Sequence, residues 1–312
     1  MLGGDEDGAS RGPVALVALV PDPEGTGAVY QRIALASYQK REITEFLTPP
    51  SRRTQRPLFS PDRLQLVFES FDQGSSHAPR LVLLDLESKR PSPLLVVGAG
   101  GESDPLFGSD PVWSLGGGGF YYNLFNPFGA ESRSWSYNLS DSTKERVGED
   151  IYSLQVLADL GEGTLLVFAG GESVRNGIYT YRGGAIAPVG NPYLAYVNSH
   201  GINTQVAFSF DWEPDLGLLV FAQHDSSLAG SRIMESSLDG DHLVIHTSGT
   251  YWDDNPRWGP NGNTILFDRR AVEDRGPASR EVLEIDRRSG STRSFASSNK
   301  IAEVLGVRSP DY

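Results

Sequence analysis

Five residues carry the donor atoms that a divalent metal takes: His200, His224, Asp225, Asp253 and Asp254. Imidazole nitrogen with carboxylate oxygen is a set that could hold such an ion. If they converge, the chemistry open to them is that of a carbohydrate-active lyase or hydrolase. The plainer reading makes them loop residues that cap strands and close turns. His242 and His246 are separated by an even number, so on a strand they point one way, and the expectation is that both face solvent.

A second group could bind rather than react. Phe125, Phe128, Tyr193, Tyr196, Tyr251 and Trp252 lie between strand-like runs, beside Asn123, Asn126, Asn191 and Asn198. Aromatic faces flanked by amides suit stacking on sugar or peptide groups. Phe120, Tyr121, Tyr122, Trp135 and Tyr137 belong to strand-like runs instead and are expected in the core.

Other chemistry finds no residues. The 312-residue chain has no Cys, so disulfides, thiolate nucleophiles and Cys-ligated metals are excluded. No Gly-x-Ser-x-Gly, phosphate loop, His-Glu-x-x-His, Asp-rich calcium loop or sialidase box occurs. The four glycines 116–119 read as a hairpin turn, and Asn138-Leu-Ser140 as a chance triplet. The net charge of -13 argues against nucleic acid and anionic membrane surfaces. No apolar run reaches the roughly 20 residues that span a bilayer. The residues call for no cofactor, apart from the metal that the His/Asp set could hold.

The elements that must position these residues repeat. Ala15–Val20, Leu64–Phe68, Gly119–Tyr122, Leu165–Phe168, Leu218–Phe221 and Thr264–Phe267 read as equivalent buried strands. Their last residues are spaced by 48, 54, 46, 53 and 46. A period near fifty with four short strands per unit predicts an all-β, six-bladed β-propeller. Each second strand is followed by a third, as in Arg80–Leu86 or Glu281–Asp286, and then a short fourth. First strands are expected near 57–59, 111–113, 153–157, 206–210 and 256–258. The first unit lacks one, and Ile301–Asp311 is expected to supply it, closing the ring and removing an open edge. Seven blades are the alternative, if 190–205 hides further strands. Residues 1–12, rich in Gly, Asp and Ser, are expected to form a disordered linker left after trimming, with 13–312 a single propeller domain.

Phe59-Ser-Pro-Asp62, Trp258-Gly-Pro-Asn-Gly262 and Arg308-Ser-Pro-Asp311 resemble the Trp-Ser-Pro-Asp-Gly turn of the TolB-like propeller repeats. Trp113-Ser-Leu-Gly116 and Phe210–Asp215 carry the turn in part, and the fourth blade, around Asp159-Leu-Gly161, has lost it. The resemblance implies the propeller fold and leaves function open, because that scaffold serves binding proteins, peptidase gating domains and a few lyases with His-rich sites. It also implies a location outside the cytoplasm, in the periplasm or at the cell surface, and a protein or peptide partner. In such a ring, loops into first strands and loops between second and third strands share one face, which gathers both groups of candidates. The expectation is a non-catalytic propeller that binds a protein or peptide there. The alternative is a carbohydrate-active enzyme with a His/Asp site at the channel mouth.

Overall fold

The computed structural model describes residues 13–21, 29–49, 53–71, 80–93, 107–125, 132–171, 174–191, 193–194, 210–224, 229–259, 262–273 and 281–295. They form six antiparallel sheets arranged as a six-bladed propeller. Blade 1 holds β1 (Val14–Pro21), β2 (Val29–Ser37) and β3 (Glu42–Phe46). Blade 2 holds β4 (Arg53–Phe59), β5 (Gln65–Phe71), β6 (Arg80–Asp85) and β7 (Pro91–Pro93). Blade 3 runs β8 (Phe107–Trp113), β9 (Gly119–Phe125), β10 (Ser132–Asn138) and β11 (Lys144–Val147). Blade 4 runs β12 (Ser153–Gly161), β13 (Thr164–Gly170), β14 (Gly177–Arg182) and β15 (Ala185–Pro188). Blade 5 runs β16 (Phe210–Glu213), β17 (Leu218–His224), β18 (Ser231–Ser236) and β19 (Leu243–Ile245). Blade 6 runs β20 (Trp252–Trp258), β21 (Thr264–Arg270), β22 (Glu281–Asp286) and β23 (Thr292–Ser294).

Every blade is a meander in which neighbours in sequence are neighbours in the sheet. That follows from short loops and alternating burial: one face of each second and third strand must find a neighbouring blade. The apolar core accordingly divides into six clusters, one for each seam between blades. Ile33 meets Leu66 and Phe68 between blades 1 and 2. Val67 and Leu81 meet Trp113 and Phe120 between blades 2 and 3. Leu166 and Ile178 meet Phe210 and Met234 between blades 4 and 5. Val220 and Ile233 meet Ile265 and Phe267 between blades 5 and 6. The sixth seam packs Ala36 and Tyr38 of blade 1 on Leu266, Val282 and Phe295 of blade 6.

The repeated turn between first and second strands is held by its own side chains. Ser60 Oγ donates to Asp62 Oδ1 at 2.5 Å, and the Leu64 amide donates to the same oxygen at 3.0 Å. The Ser60 hydroxyl, with that amide, holds the Asp62 carboxyl below its ordinary pKa. The turn Trp reaches across the seam. Trp113 Nε1 donates to the Leu58 carbonyl at 3.0 Å, and Trp258 Nε1 to the Asp211 carbonyl at 3.1 Å. The four-glycine run makes the expected turn, with Gly117 at φ 70°.

Three expectations change or fall elsewhere. The first strand of blade 5 is described over Phe210–Glu213, so it runs beyond the expected 206–210 to a turn at 214–217, where the Gly217 amide bonds the Glu213 carbonyl at 2.9 Å, and 206–209 lie outside the described residues. Residues 195–209 and the C-terminal segment 296–312 lie outside the described residues, as does the linker at 1–12. His246 does not face solvent. Its side chain is 3% exposed, because both it and His242 turn onto Glu235, which stands opposite Val244 midway between them.

Candidate binding face at the loop end of the propeller

Strand direction sends the starts of first and third strands and the ends of second strands to one end of the ring. In blade 6 that end brings Tyr251, Trp252 and Asp253 beside Arg269, Arg270 and Glu281. The connector ahead of β20 is fastened to β18. Gly230 and Ser231 donate their amides to the carbonyls of Gly249 and Tyr251 at 3.0 and 2.9 Å. Only glycine fits at 230, since a Cβ there would lie 2.0 Å from the Tyr251 carbonyl oxygen. Tyr251 is therefore held by the backbone while the residue stays 43% exposed.

Arg269 organises the side chains behind it. Its Nε and one terminal nitrogen donate to the two Asp253 oxygens at 2.7 and 2.8 Å. Its guanidinium lies 4.6 Å from the Tyr251 ring centroid and 5.3 Å from that of Phe267. The hydrogen bonds to Asp253 raise the Arg269 pKa further. Asp253 is 1% exposed, so its charge is answered inside the protein. The Arg270 guanidinium lies 5.4 Å from the half-buried Trp252 ring. An open cleft of about 420 Å³ adjoins this group, lined by Tyr251, Arg269, Glu281, Leu283 and Ser294 among others.

The first strands carry a feature that residue-type searching missed. Arg56, Asp110 and Asn255 have φ of 54°, 51° and 50°. Each precedes a proline, and each sits where the pairing of first and second strands shifts register. An L-residue in this region ahead of proline is strained. The strain is answered by polar partners: Arg56 bonds Glu69 at 2.8 Å and Asp110 at 2.6 Å, joining blades 2 and 3, and Asn255 donates to Asp268 at 3.2 Å. The common signal is a proline two residues before the turn aromatic, at Pro57, Pro111 and Pro256.

The remaining candidates separate. Tyr251 and Trp252 stand together at this end, with Trp252 opening β20 rather than lying in a loop. Phe125 is the last residue of β9, paired with Phe107 and Ser132, so it too belongs to a strand. Tyr193 packs against the core between blades 4 and 5. Asn191 and Asn123 are buried seam residues: Asn191 Nδ2 donates to Ser236 Oγ at 2.6 Å, and Asn123 Oδ1 accepts from the Val156 amide at 3.0 Å. Asp253 and Asp254 adjoin on β20, and His224 ends β17. Phe128, Tyr196, Asn126, Asn198, His200 and Asp225 lie outside the described residues. Among the described residues no three His, Asp or Glu side chains form a group able to hold a metal, and no helix is long and apolar enough to cross a membrane.

No protein-family model matches the sequence, and no curated protein matches it. Solved structures do match in fold. TolB from Acinetobacter baumannii superposes with a TM-score of 0.66 at 14% identity, over 94% of this chain and 65% of that one. A protein described as a putative TolB from Agrobacterium tumefaciens gives 0.61 at 14% identity, over 91% and 89%. The β-propeller domain of the trilobed protease from Pyrococcus furiosus gives 0.56 at 13% identity, over 93% and 96%. The chain thus spans just under two thirds of the first of these proteins. Further peptidases and an oligogalacturonate lyase share the propeller. At these identities the likeness is one of fold, and the fold is the TolB-like six-bladed β-propeller.

Proposed function

We propose that this chain is a non-catalytic propeller that binds a protein or peptide partner on the loop end of the ring, and that it works outside the cytoplasm. The observation that carries the reading is Tyr251: an exposed aromatic residue held on a fixed backbone beside an open cleft. A rigid aromatic of this kind loses little entropy on docking and supplies a large contact area. The acidic groups next to it support binding over metal chemistry. Asp253 is engaged by Arg269, and Asp268 accepts from Asn255. The TolB-like fold supports both the partner class and the location, without naming either.

The test is quantitative affinity capture from the source cell with the wild type, Tyr251→Ala and Trp252→Ala. A partner retained by the wild type and lost with Tyr251→Ala, at an unchanged melting temperature, is the expected result. Identical capture by all three proteins would refute the reading. A stoichiometric divalent metal that disappears in Asp253→Asn would turn the assignment toward the carbohydrate-active enzyme.

A further inference from the structure

The turns joining first to second strands, and third to fourth, lie at the end of the ring away from the loops, and their charges are sorted by blade. Blades 6, 1 and 2 are consecutive through shared seams. Their turns present Lys40, Arg63, Lys89, Arg90 and Arg288 at the surface, with Asp62 and Glu87 among them. Arg41 and Arg287 sit in the same turns but reach inward, onto buried Glu284 and Glu235. Blades 3, 4 and 5 follow round the ring. Their turns present Asp141, Glu162, Asp215, Asp239 and Asp241, and among the described residues hold no lysine or arginine. One half of this end is therefore basic and the other acidic.

The acidic half is held in place by its own turns. Asp141 Oδ1 accepts from the Thr143 amide and hydroxyl at 3.0 and 2.7 Å, and Asp239 Oδ1 from the Ser237 hydroxyl and the Asp241 amide at 2.5 and 3.1 Å. These bonds hold both carboxyls below their ordinary pKa while leaving them exposed. In the basic half the contacts to carboxylates are peripheral. Lys40 stands 4.0 Å from Glu42 and Lys89 2.5 Å from Glu45, and surface pairs of this kind exchange partners at little cost. Leu64 and Leu216, 61% and 43% exposed, add apolar area in the turns of blades 2 and 5. The turn of blade 3 is bare: a Cβ at Gly116 or Gly118 would meet nothing within 4 Å.

A partner of one sign would be drawn to half of this end and repelled by the rest. The surface that answers both halves is the same end of a second copy, turned over. We propose that the chain self-associates through this turn end as a two-fold dimer, each basic half facing the acidic half of the other copy. A two-fold axis in the plane of the ring, running between blades 2 and 3 and between blades 5 and 6, makes that exchange. Blade 1 then lies over blade 4 of the second copy, blade 2 over blade 3, and blade 6 over blade 5. That register sets the Lys89–Arg90 turn against the turn of Asp141, and the Arg288 turn against that of Asp239 and Asp241. It also lays Leu64 on the bare glycine turn. The two loop ends face away from each other, so both stay open to the partner proposed above.

The test is sedimentation velocity of the full chain at up to about 100 μM, in about 50 and about 500 mM NaCl, between which the screening length falls from about 14 to about 4 Å. The wild type should dimerise at low salt, with a dissociation constant at least about tenfold higher at high salt. Two triple variants reverse one half each: Lys40→Glu with Arg90→Glu and Arg288→Glu, and Glu162→Lys with Asp215→Lys and Asp241→Lys. Each alone should be monomeric, because both halves then carry one sign, and an equimolar mixture of the two should dimerise again. All six positions are exposed turn residues, and circular dichroism checks that each variant folds. A wild type that stays monomeric at low salt overturns the proposal, as does a dimer that either triple variant retains or a mixture that does not associate. Should a variant fail to fold, the wild type decides, since a dimer insensitive to salt would equally overturn it.

Discussion

Replacing Arg287 with alanine should destabilise the seam between blades 5 and 6 by an amount the geometry sets. Arg287 donates through Nε and a terminal nitrogen to the two Glu235 oxygens at 2.7 and 2.6 Å. Its remaining terminal nitrogen donates to the Gly262 carbonyl at 2.6 Å, and its guanidinium lies 4.9 Å from the Trp258 ring centroid. Glu235 is 2% exposed, so the truncation leaves a buried carboxylate whose remaining side-chain partners among the described residues are His242 and His246. Removing one partner of a buried pair costs about 3–5 kcal/mol, and the surviving imidazole bonds favour the lower end, about 3 kcal/mol. At roughly 2–4 °C per kcal/mol for a domain of 150–250 residues, the melting temperature should fall by about 6–12 °C. The acid limb adds a second readout. Burial opposes ionisation of Glu235, but hydrogen bonds from His246, Arg287 and His242 outweigh it and hold the carboxyl well below its ordinary 4.5. A depressed carboxyl gives stability that is complete above that value and lost as the pH falls below it. In Arg287→Ala the carboxyl returns toward its ordinary pKa, so this acid-linked loss should shrink. Differential scanning calorimetry between pH 3 and 7 measures both effects. An Arg287→Ala protein that melts within about 1 °C of wild type, with the same acid limb, would refute the assignment of the seam to this network.

Three further outcomes follow from the same structure. Gly230→Ala should cost about 1–3 kcal/mol in denaturant unfolding and weaken partner capture, since its Cβ would press within 2.0 Å of the carbonyl that holds Tyr251. Asn123→Ala should cost about 1–2 kcal/mol by the same assay: it removes the donor to the Val156 carbonyl, while Ser134 Oγ still accepts from the Val156 amide at 2.9 Å. Asp211→Asn should stabilise the protein at neutral pH, and the gain should shrink on acidification. Burial raises the Asp211 pKa despite Arg257 and the Trp258 amide, so its ionisation works against folding as the pH rises; an Asp211→Asn protein that is less stable than wild type at pH 7 would contradict this.

The blades were legible because a four-stranded unit writes itself twice in sequence, as an alternating apolar pattern and as a turn. Leu165–Phe168 and Thr264–Phe267 could be matched across the one intervening blade, since each must fill the same kind of seam. The candidate face was legible in part. Tyr251 and Trp252 stand where the topology sends them, but Phe125 and Tyr193 were absorbed by a strand and a seam. A residue outside an obvious strand run can still be buried by a neighbouring blade, which local pattern does not report. Asn123 and Asn191 show the same limit: an amide beside aromatics suggests a ligand, yet buried between blades it serves backbone groups that would otherwise lack partners.

Blade number, strand order and acidic character could be read from the chain alone, because they depend on local periodicity and composition. Which charges meet was settled by the packing of the blades. Glu235, His246 and Arg287 lie on two blades, as do Arg41 and Glu284, and nothing in their spacing brings them together. Their pairing is set by how one sheet leans on the next, and burial at that contact turns ordinary surface residue types into the staples of the ring.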